Sequence, residues 1–291
     1  MNAETRRPLL LAIAAASVLS VGGLAWLARA LLIPADQAAG TSLLELLNDT
    51  RRQRATDQEN RPRPAAPPAH EPWVSPLRQA CPIREPELQQ RLANLMDDLD
   101  QRRRRIRIDP SNYGQRFRRD VFGNRLDPTP RLVVLHETVY GLSSAINTFK
   151  TAHPNDDDQV SYHTLIGLDG TVVDTVDPSK RAFGAGYSAF QGRWAMTSRR
   201  RVSGSINNFA LHLSLESPLD GENEAPGHSG YTQAQYDALA VVLTDWMQRY
   251  PIPVEAITTH RHVDMGRERA DPRSFDWNQL RLRLAALDVI C

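Results

Sequence analysis

An excess of charge of either sign is missing from this chain. Its 35 basic side chains stand against 34 acidic ones across 291 residues, a net charge of +1. A protein that grips nucleic acid by neutralising phosphates needs a cationic surplus, so that class is set aside. Cysteine is scarce as well. The two present, Cys81 and Cys291, have no zinc-finger spacing and lie at opposite ends of the stretch that reads as folded. In an exported domain they could pair and tie the C-terminus back to the start of the fold; in a reducing compartment they would remain thiols. No serine stands in a nucleophile-elbow word, which argues against a serine hydrolase. The glycine-rich stretch Phe183-Gly-Ala-Gly186-Tyr-Ser188 lacks the strand-then-helix setting of a nucleotide cradle.

The chain falls into segments of different composition. Arg6 and Arg7 precede an uncharged run from Leu9 to Leu27, long enough to cross about 30 Å of hydrocarbon as a helix. Residues 9–32 are therefore expected to be a transmembrane anchor behind a cytoplasmic segment, 1–8. The alternative is a signal sequence, since Ala28-Arg-Ala30 mimics a cleavage site and Thr5-Arg-Arg7-Pro-Leu-Leu looks like a twin-arginine signal. Either way the remainder faces the periplasm. Residues 33–80 are polar and carry Pro62, Pro64, Pro67, Pro68, Pro72 and Pro76; they are expected to form a disordered, extended tether.

A helical lead-in (81–130) and a globular part (131–291) follow, with enough apolar residues for one ordinary core. Leu88, Leu92, Leu95 and Leu99 set a helix over Glu85–Gln101. The Arg102–Arg105 run after it reads as a solvated helix end. Arg131-Leu-Val-Val-Leu-His136 reads as a strand buried on both faces. Further strands are expected at Val160–Ile166, at Thr171–Val173 after a Gly167-Leu-Asp-Gly170 turn, at Phe209–Glu216 and at Ala256–His260. In the Phe209–Glu216 strand, alternation puts His212, Ser214 and Glu216 on one face. Helices are expected at Leu142–Thr151, at Gln233–Tyr250 capped by Thr232, and near Trp277–Leu287. The alternation gives an α/β class with a mixed β-sheet flanked by helices.

Two of these strands, distant in sequence, end in histidine: His136 and His260. A carboxylate, Asp271, follows the second. Two imidazoles and one carboxylate, with a place left for water, compose a catalytic zinc site rather than a structural one. Spacing alone does not select this trio among eight histidines. His262 is a rival to His260, because in an extended segment the two would point the same way. His163 alternates away from Tyr162 and reads as structural, and His153, His212 and His228 receive no role.

The words around these residues are more specific. Val-Val-Leu-His136-Glu-Thr, Val-Ser-Tyr162-His-Thr-Leu-Ile-Gly-Leu-Asp-Gly170-Thr-Val, Gly-Tyr-Thr-Gln-Ala-Gln-Tyr236, Thr-Thr-His260-Arg-His262 and Arg269-Ala-Asp271-Pro-Arg-Ser-Phe-Asp-Trp277 occur in that order. Together, over roughly residues 131–285, they resemble the zinc-dependent N-acetylmuramoyl-L-alanine amidases, including phage lysozyme-type amidases and peptidoglycan recognition proteins. The resemblance implies a mixed sheet with helices on both sides, and cleavage of the amide joining N-acetylmuramic acid to L-alanine in peptidoglycan or muropeptides by a monomer. It implies that His136, His260 and Asp271 hold Zn2+, with the first histidine of the His260/His262 pair as ligand. It also implies that Tyr162 lies beside the activated water. Some members carry a glutamate where Ser214 stands here, leaving Glu216 to reach the site from the same face. The family's lysine is Arg269, which can hold an oxyanion but cannot release a proton. Tyr162 or Glu216 would then pass the proton to the leaving amine. These two departures keep open a second class, a peptidoglycan-binding module without hydrolysis.

Overall fold

A computed structural model describes residues 43–79, 81–82, 85–198 and 203–291. The expected anchor, 9–32, lies outside them, and among the described residues no helix is long and apolar enough to cross a membrane. The chain divides into two units at Arg61/Pro62. In the first, helix α1 (Leu43–Glu59) occupies part of the expected tether and exposes Leu43, Leu44, Leu46 and Leu47. In the second, the helices are α2 (Pro86–Asp97), α3 (Leu99–Arg102), α4 (Leu142–Lys150), α5 (Gln233–Arg249), α6 (His260–Val263) and α7 (Trp277–Ala286). The strands are β1 (Arg103–Arg105), β2 (Tyr113–Gln115), β3 (Leu132–Glu137), β4 (Thr164–Ile166), β5 (Val172–Asp174), β6 (Lys180–Ala182), β7 (Ala210–Leu215) and β8 (Ile257–Thr259).

Six strands form one sheet in the order β1-β5-β4-β7-β3-β8, and β2 pairs with β6 in a separate ribbon. β4, β7, β3 and β8 run parallel, while β5 is antiparallel to β4. The sheet is therefore mixed, as the alternation of elements predicts. β3 and β7 are buried along their whole length, which explains the near-continuous apolar run before His136.

Each face has its own core. Ile166 and Val172 join the larger one, with Leu239, Leu243 and Trp246 of α5 and Leu280 and Leu284 of α7; Leu165 and Val173 turn to a smaller one with Ile146 and Phe149 of α4. Fully buried leucines such as Leu239 and Leu243 contribute on the order of 1.5–3 kcal/mol each. Thr232 closes a full capping box with Gln235 at the start of α5. Gly170, at φ +82°, makes the turn between β4 and β5, a conformation glycine adopts without steric cost.

Three expectations are corrected. The Arg102–Arg105 run is not only a helix end: Arg103–Arg105 is an edge strand parallel to β5, and Arg103 is paired with Asp245 at 2.5 Å. The Val160–Ile166 strand shortens to Thr164–Ile166. The tether is not free throughout, because its later part, from Pro62 on, belongs to the second unit and packs within it. Trp73 Nε1 donates to the Glu255 carbonyl at 2.9 Å, Arg78 meets the Glu255 carboxylate at 2.9 Å, and Leu77 is buried. The apolar material that segment lacks is supplied by the surface it lies on. Cys81 and Cys291 are joined in a disulfide, with Cα atoms 5.8 Å apart.

Candidate functional site

His136 is the fifth residue of β3, so its ring leaves one face of the sheet while its neighbour Glu137 leaves the other. β3 pairs in parallel with β8, Leu135 opposite Thr259. The residue after β8, His260, therefore emerges beside His136, and their ring centroids are 4.6 Å apart. Asp271 completes the group. Its Oδ2 lies 3.2 Å from His136 Nδ1, and its Oδ1 lies 3.0 Å from His260 Nδ1. One ligand atom from each of the three lies within 4.8 Å of the others, and among the described residues this is the one such cluster of histidine, cysteine and acidic side chains.

The loop carrying Asp271 is fixed at several points. The Asp264 carboxylate accepts the backbone N–H groups of Gly266, Glu268 and Arg269 at 2.7–3.0 Å. The Arg261 N–H donates to the Asp271 carbonyl at 3.0 Å. Glu137 and Arg273 form a buried ion pair. Glu137 Oε2 also accepts from the Tyr231 hydroxyl at 2.7 Å and lies 3.1 Å from His228 Nε2. Arg273 donates to the carbonyls of Gly221, Asn223 and Ala225 at 2.6–2.7 Å. Because Glu137 adjoins one member of the trio and Arg273 stands two residues past another, this pair clamps the two distant segments together.

Electrostatics agree with a metal-binding arrangement. Burial pushes His136 down to about 4, keeping its ring neutral and able to donate a lone pair. Burial alone would raise the Asp271 carboxyl, but hydrogen bonds from His136 and His260 outweigh it and hold the group well below the usual range. Two imidazole nitrogens and one carboxylate oxygen suit a divalent ion. Ligand atoms at zinc-like bond lengths of about 2.0–2.2 Å stand roughly 3.3 Å apart in a tetrahedral site, and the two contacts between Asp271 and the imidazoles are close to that. His260, Asp271, Tyr162 and Arg269 line a groove of about 630 Å³.

The other expected residues separate clearly. Tyr162 stacks on His136 with centroids 4.3 Å apart and meets Phe149 edge-on; burial drives its phenol pKa up, so it stays an O–H donor. Arg269 lies on the groove. Glu216 does not reach the site: its two oxygens accept the N–H groups of Leu142 and Leu168 at 2.7 and 2.8 Å, one of them at the first turn of α4. His262 is no rival to His260. The 260–263 segment is a helical turn, not an extended one, so alternate residues diverge by about 200°. His262 faces Trp73 and His70, with centroids 4.7 and 4.9 Å away.

Sequence reasoning gave no role to three residues that the structure ties to the trio. Glu137 and Arg273 carry no sequence signal beyond their nearness to the ligands. His212 did carry one, its place on the same face as Ser214: its Nδ1 lies 2.9 Å from His136 Nε2. Ser214, opposite His136 across β3 and β7, has a buried Oγ with no partner among the described residues.

The family model described as N-acetylmuramoyl-L-alanine amidase matches residues 124–274. The 1,6-anhydro-N-acetylmuramyl-L-alanine amidase AmpD of Citrobacter freundii is 33% identical over 123 residues, covering 42% of this chain and 56% of the relative. AmpD of Haemophilus influenzae is 28% identical over 175 residues, 60% of this chain and 76% of the relative. A crystal structure of a selenomethionine derivative of AmpD is similar over 62% of this chain and 93% of its own, at 29% identity and a TM-score of 0.47. The chain thus spans little more than half the length of the Citrobacter relative. With more than half of its residues inside the matched region, and the trio His136, His260 and Asp271 within it, the chain belongs to the N-acetylmuramoyl-L-alanine amidase family.

Proposed function

We propose that the chain is a zinc-dependent hydrolase of the amide bond between N-acetylmuramic acid and L-alanine, acting as a monomer on peptidoglycan or muropeptides in cell-wall turnover. The observation that carries this is the trio of His136, His260 and Asp271, with His260 and Asp271 on the wall of a groove and His136 buried directly behind them. When bound, zinc supplies Lewis-acid activation of water and of the scissile carbonyl. The chain's own residues hold the rest of the transition state. Tyr162, kept protonated by burial, donates its O–H to the developing oxyanion, and Arg269 adds a fixed positive charge from the groove. With both oxygens of Glu216 bound to backbone amides, Tyr162 is the group left to pass the proton lost by the attacking water to the leaving nitrogen, taking up that proton as it gives its own, so that the phenol ends neutral. The complete trio favours hydrolysis over the second reading, a peptidoglycan-binding module without it, for which Ser214 and Arg269 are the supporting observations.

The same reading puts the domain in the periplasm, held at the inner membrane through residues 9–32. The Cys81–Cys291 bond supports an oxidising compartment, and the uncharged run from Leu9 to Leu27 supports the anchor. The test is digestion of purified sacculi and of isolated muropeptides, with and without chelator, followed by product masses. Separated glycan and L-alanine-terminated peptides are expected, and chelation should stop their release. His136→Ala and Asp271→Ala should each lose zinc and turnover while keeping the far-ultraviolet dichroism of the parent. Full activity in either variant would reject the site.

A further inference from the structure

One contact of the trio serves no ligand directly. His136 Nε2 and His212 Nδ1 are 2.9 Å apart in a fully buried environment, and two ring nitrogens at that distance share one hydrogen. The side of His136 that faces the metal position is fixed independently, because Nδ1 is the atom 3.2 Å from Asp271 Oδ2. A nitrogen that binds a cation cannot also carry a proton. The hydrogen of a ligating His136 therefore sits on Nε2 and is donated to His212 Nδ1. His212 in turn carries its own hydrogen on Nε2, an atom that is buried without a partner among the described residues.

We propose that His212 is a positioning residue: by accepting the Nε2–H of His136 it fixes the tautomer and ring orientation that present Nδ1 to the metal, and so raises the affinity of the trio for zinc. This rests on the zinc site proposed above. Ligating histidines usually donate to a carboxylate, a backbone carbonyl or water. A neutral imidazole does the work here, orienting the ligand without adding negative charge behind the metal.

The placement of the ring is built into the sheet. His212 stands opposite Val134 in the β3–β7 register, two residues from the position opposite His136 and on the same face. Its backbone is locked to His163 in both directions. The His212 N–H donates to His163 Nδ1 at 2.9 Å, and the His163 N–H donates to the His212 carbonyl at 2.8 Å. On the other side, Gly184 leaves room for it: a Cβ there would lie 2.4 Å from the His212 ring. A side chain at 184 is therefore incompatible with the observed ring position.

The test is zinc affinity of the full chain, measured by chelator competition in the parent and in His212→Leu, His212→Asn and Gly184→Ala. Leucine fills the space but accepts nothing, and should weaken zinc binding by about 10–100-fold. Asparagine can place Oδ1 near the position of Nδ1 and should restore affinity to within a few-fold of the parent. Gly184→Ala, which touches no ligand, should weaken binding by displacing the ring. If His212→Leu does not fold, nuclear magnetic resonance of the zinc-loaded parent decides: a scalar coupling between His136 Nε2 and His212 Nδ1 across the shared hydrogen is expected, and its absence overturns the inference. Parental affinity in His212→Leu, or asparagine no better than leucine, would leave His212 with a packing role alone. A parent that binds no zinc, or a His136→Ala variant that binds it normally, would instead reject the metal site itself.

Discussion

At the scale of single residues, the site concentrates imidazoles where water is excluded, and that has a cost in acid. His136 and His163 are buried, and burial brings them down to about 4 and about 3, with the charge of Arg116 adding to the effect at His163. In the unfolded chain both would titrate near their ordinary 6.5. Below that pH the unfolded state takes up protons that the folded state refuses, so stability falls as pH drops from 6.5 toward the folded values, and no such loss occurs above 6.5. Each imidazole should cost about 2 kcal/mol at pH 5 relative to pH 7. Urea midpoints of the chelated protein at the two pH values check this. His163→Gln should cut the pH-dependent loss by about 2 kcal/mol whatever it does to stability at pH 7, and an unchanged pH dependence would show that His163 is already charged in the fold.

At the scale of elements, the parts most legible in the sequence are those the sheet buries on both sides. The apolar runs ending at His136 and His260 could be read as strands, and parallel pairing through β3 and β8 is what brings their ends together. The histidine pair was visible for that reason. Less visible were elements whose stability comes from partners. β1 is three arginines, and it is a strand because β5 supplies its hydrogen bonds and Asp245 its counter-charge. β2 and β6 are three residues each, too short for a period to show. The contact of His212 with His136 needs a register between β3 and β7 that no single-strand pattern specifies. Glu216 shows the reverse failure: alternation gave its face correctly, but the N–H groups at the start of α4 and at Leu168 claim its carboxylate. The cap of α5 was legible because it is local. Thr232 Oγ1 accepts the Gln235 N–H at 3.1 Å, and Gln235 Oε1 accepts the Thr232 N–H at 3.0 Å. Thr232→Ala should therefore lower the unfolding free energy by about 1 kcal/mol, and Thr232→Gly by only a few tenths. Equal losses in the two variants would point instead to the bond that the same hydroxyl donates to the Leu168 carbonyl at 2.7 Å.

At the scale of the whole molecule, the second unit is closed by a covalent bond that encloses every strand. Cys81 and Cys291 are 210 residues apart in sequence, and the segment leading to Cys81 is pinned nearby by Trp73, Leu77 and Arg78. A cross-link over so long a loop acts chiefly by restricting the unfolded chain, an effect typically worth about 2–4 kcal/mol. The trio of His136, His260 and Asp271 does not depend on that closure, because its members are tied by β3, β8 and the Glu137–Arg273 pair, which are anchored well before the C-terminus. Cys291→Ser should therefore lower the urea midpoint to the same value as reduction of the parent. Its zinc affinity, measured where the variant is still folded, should stay within about twofold of the parent. A joint fall in stability and affinity would mean that the terminus supports the 264–273 loop through α7, and that reduction abolishes zinc binding rather than merely loosening the fold.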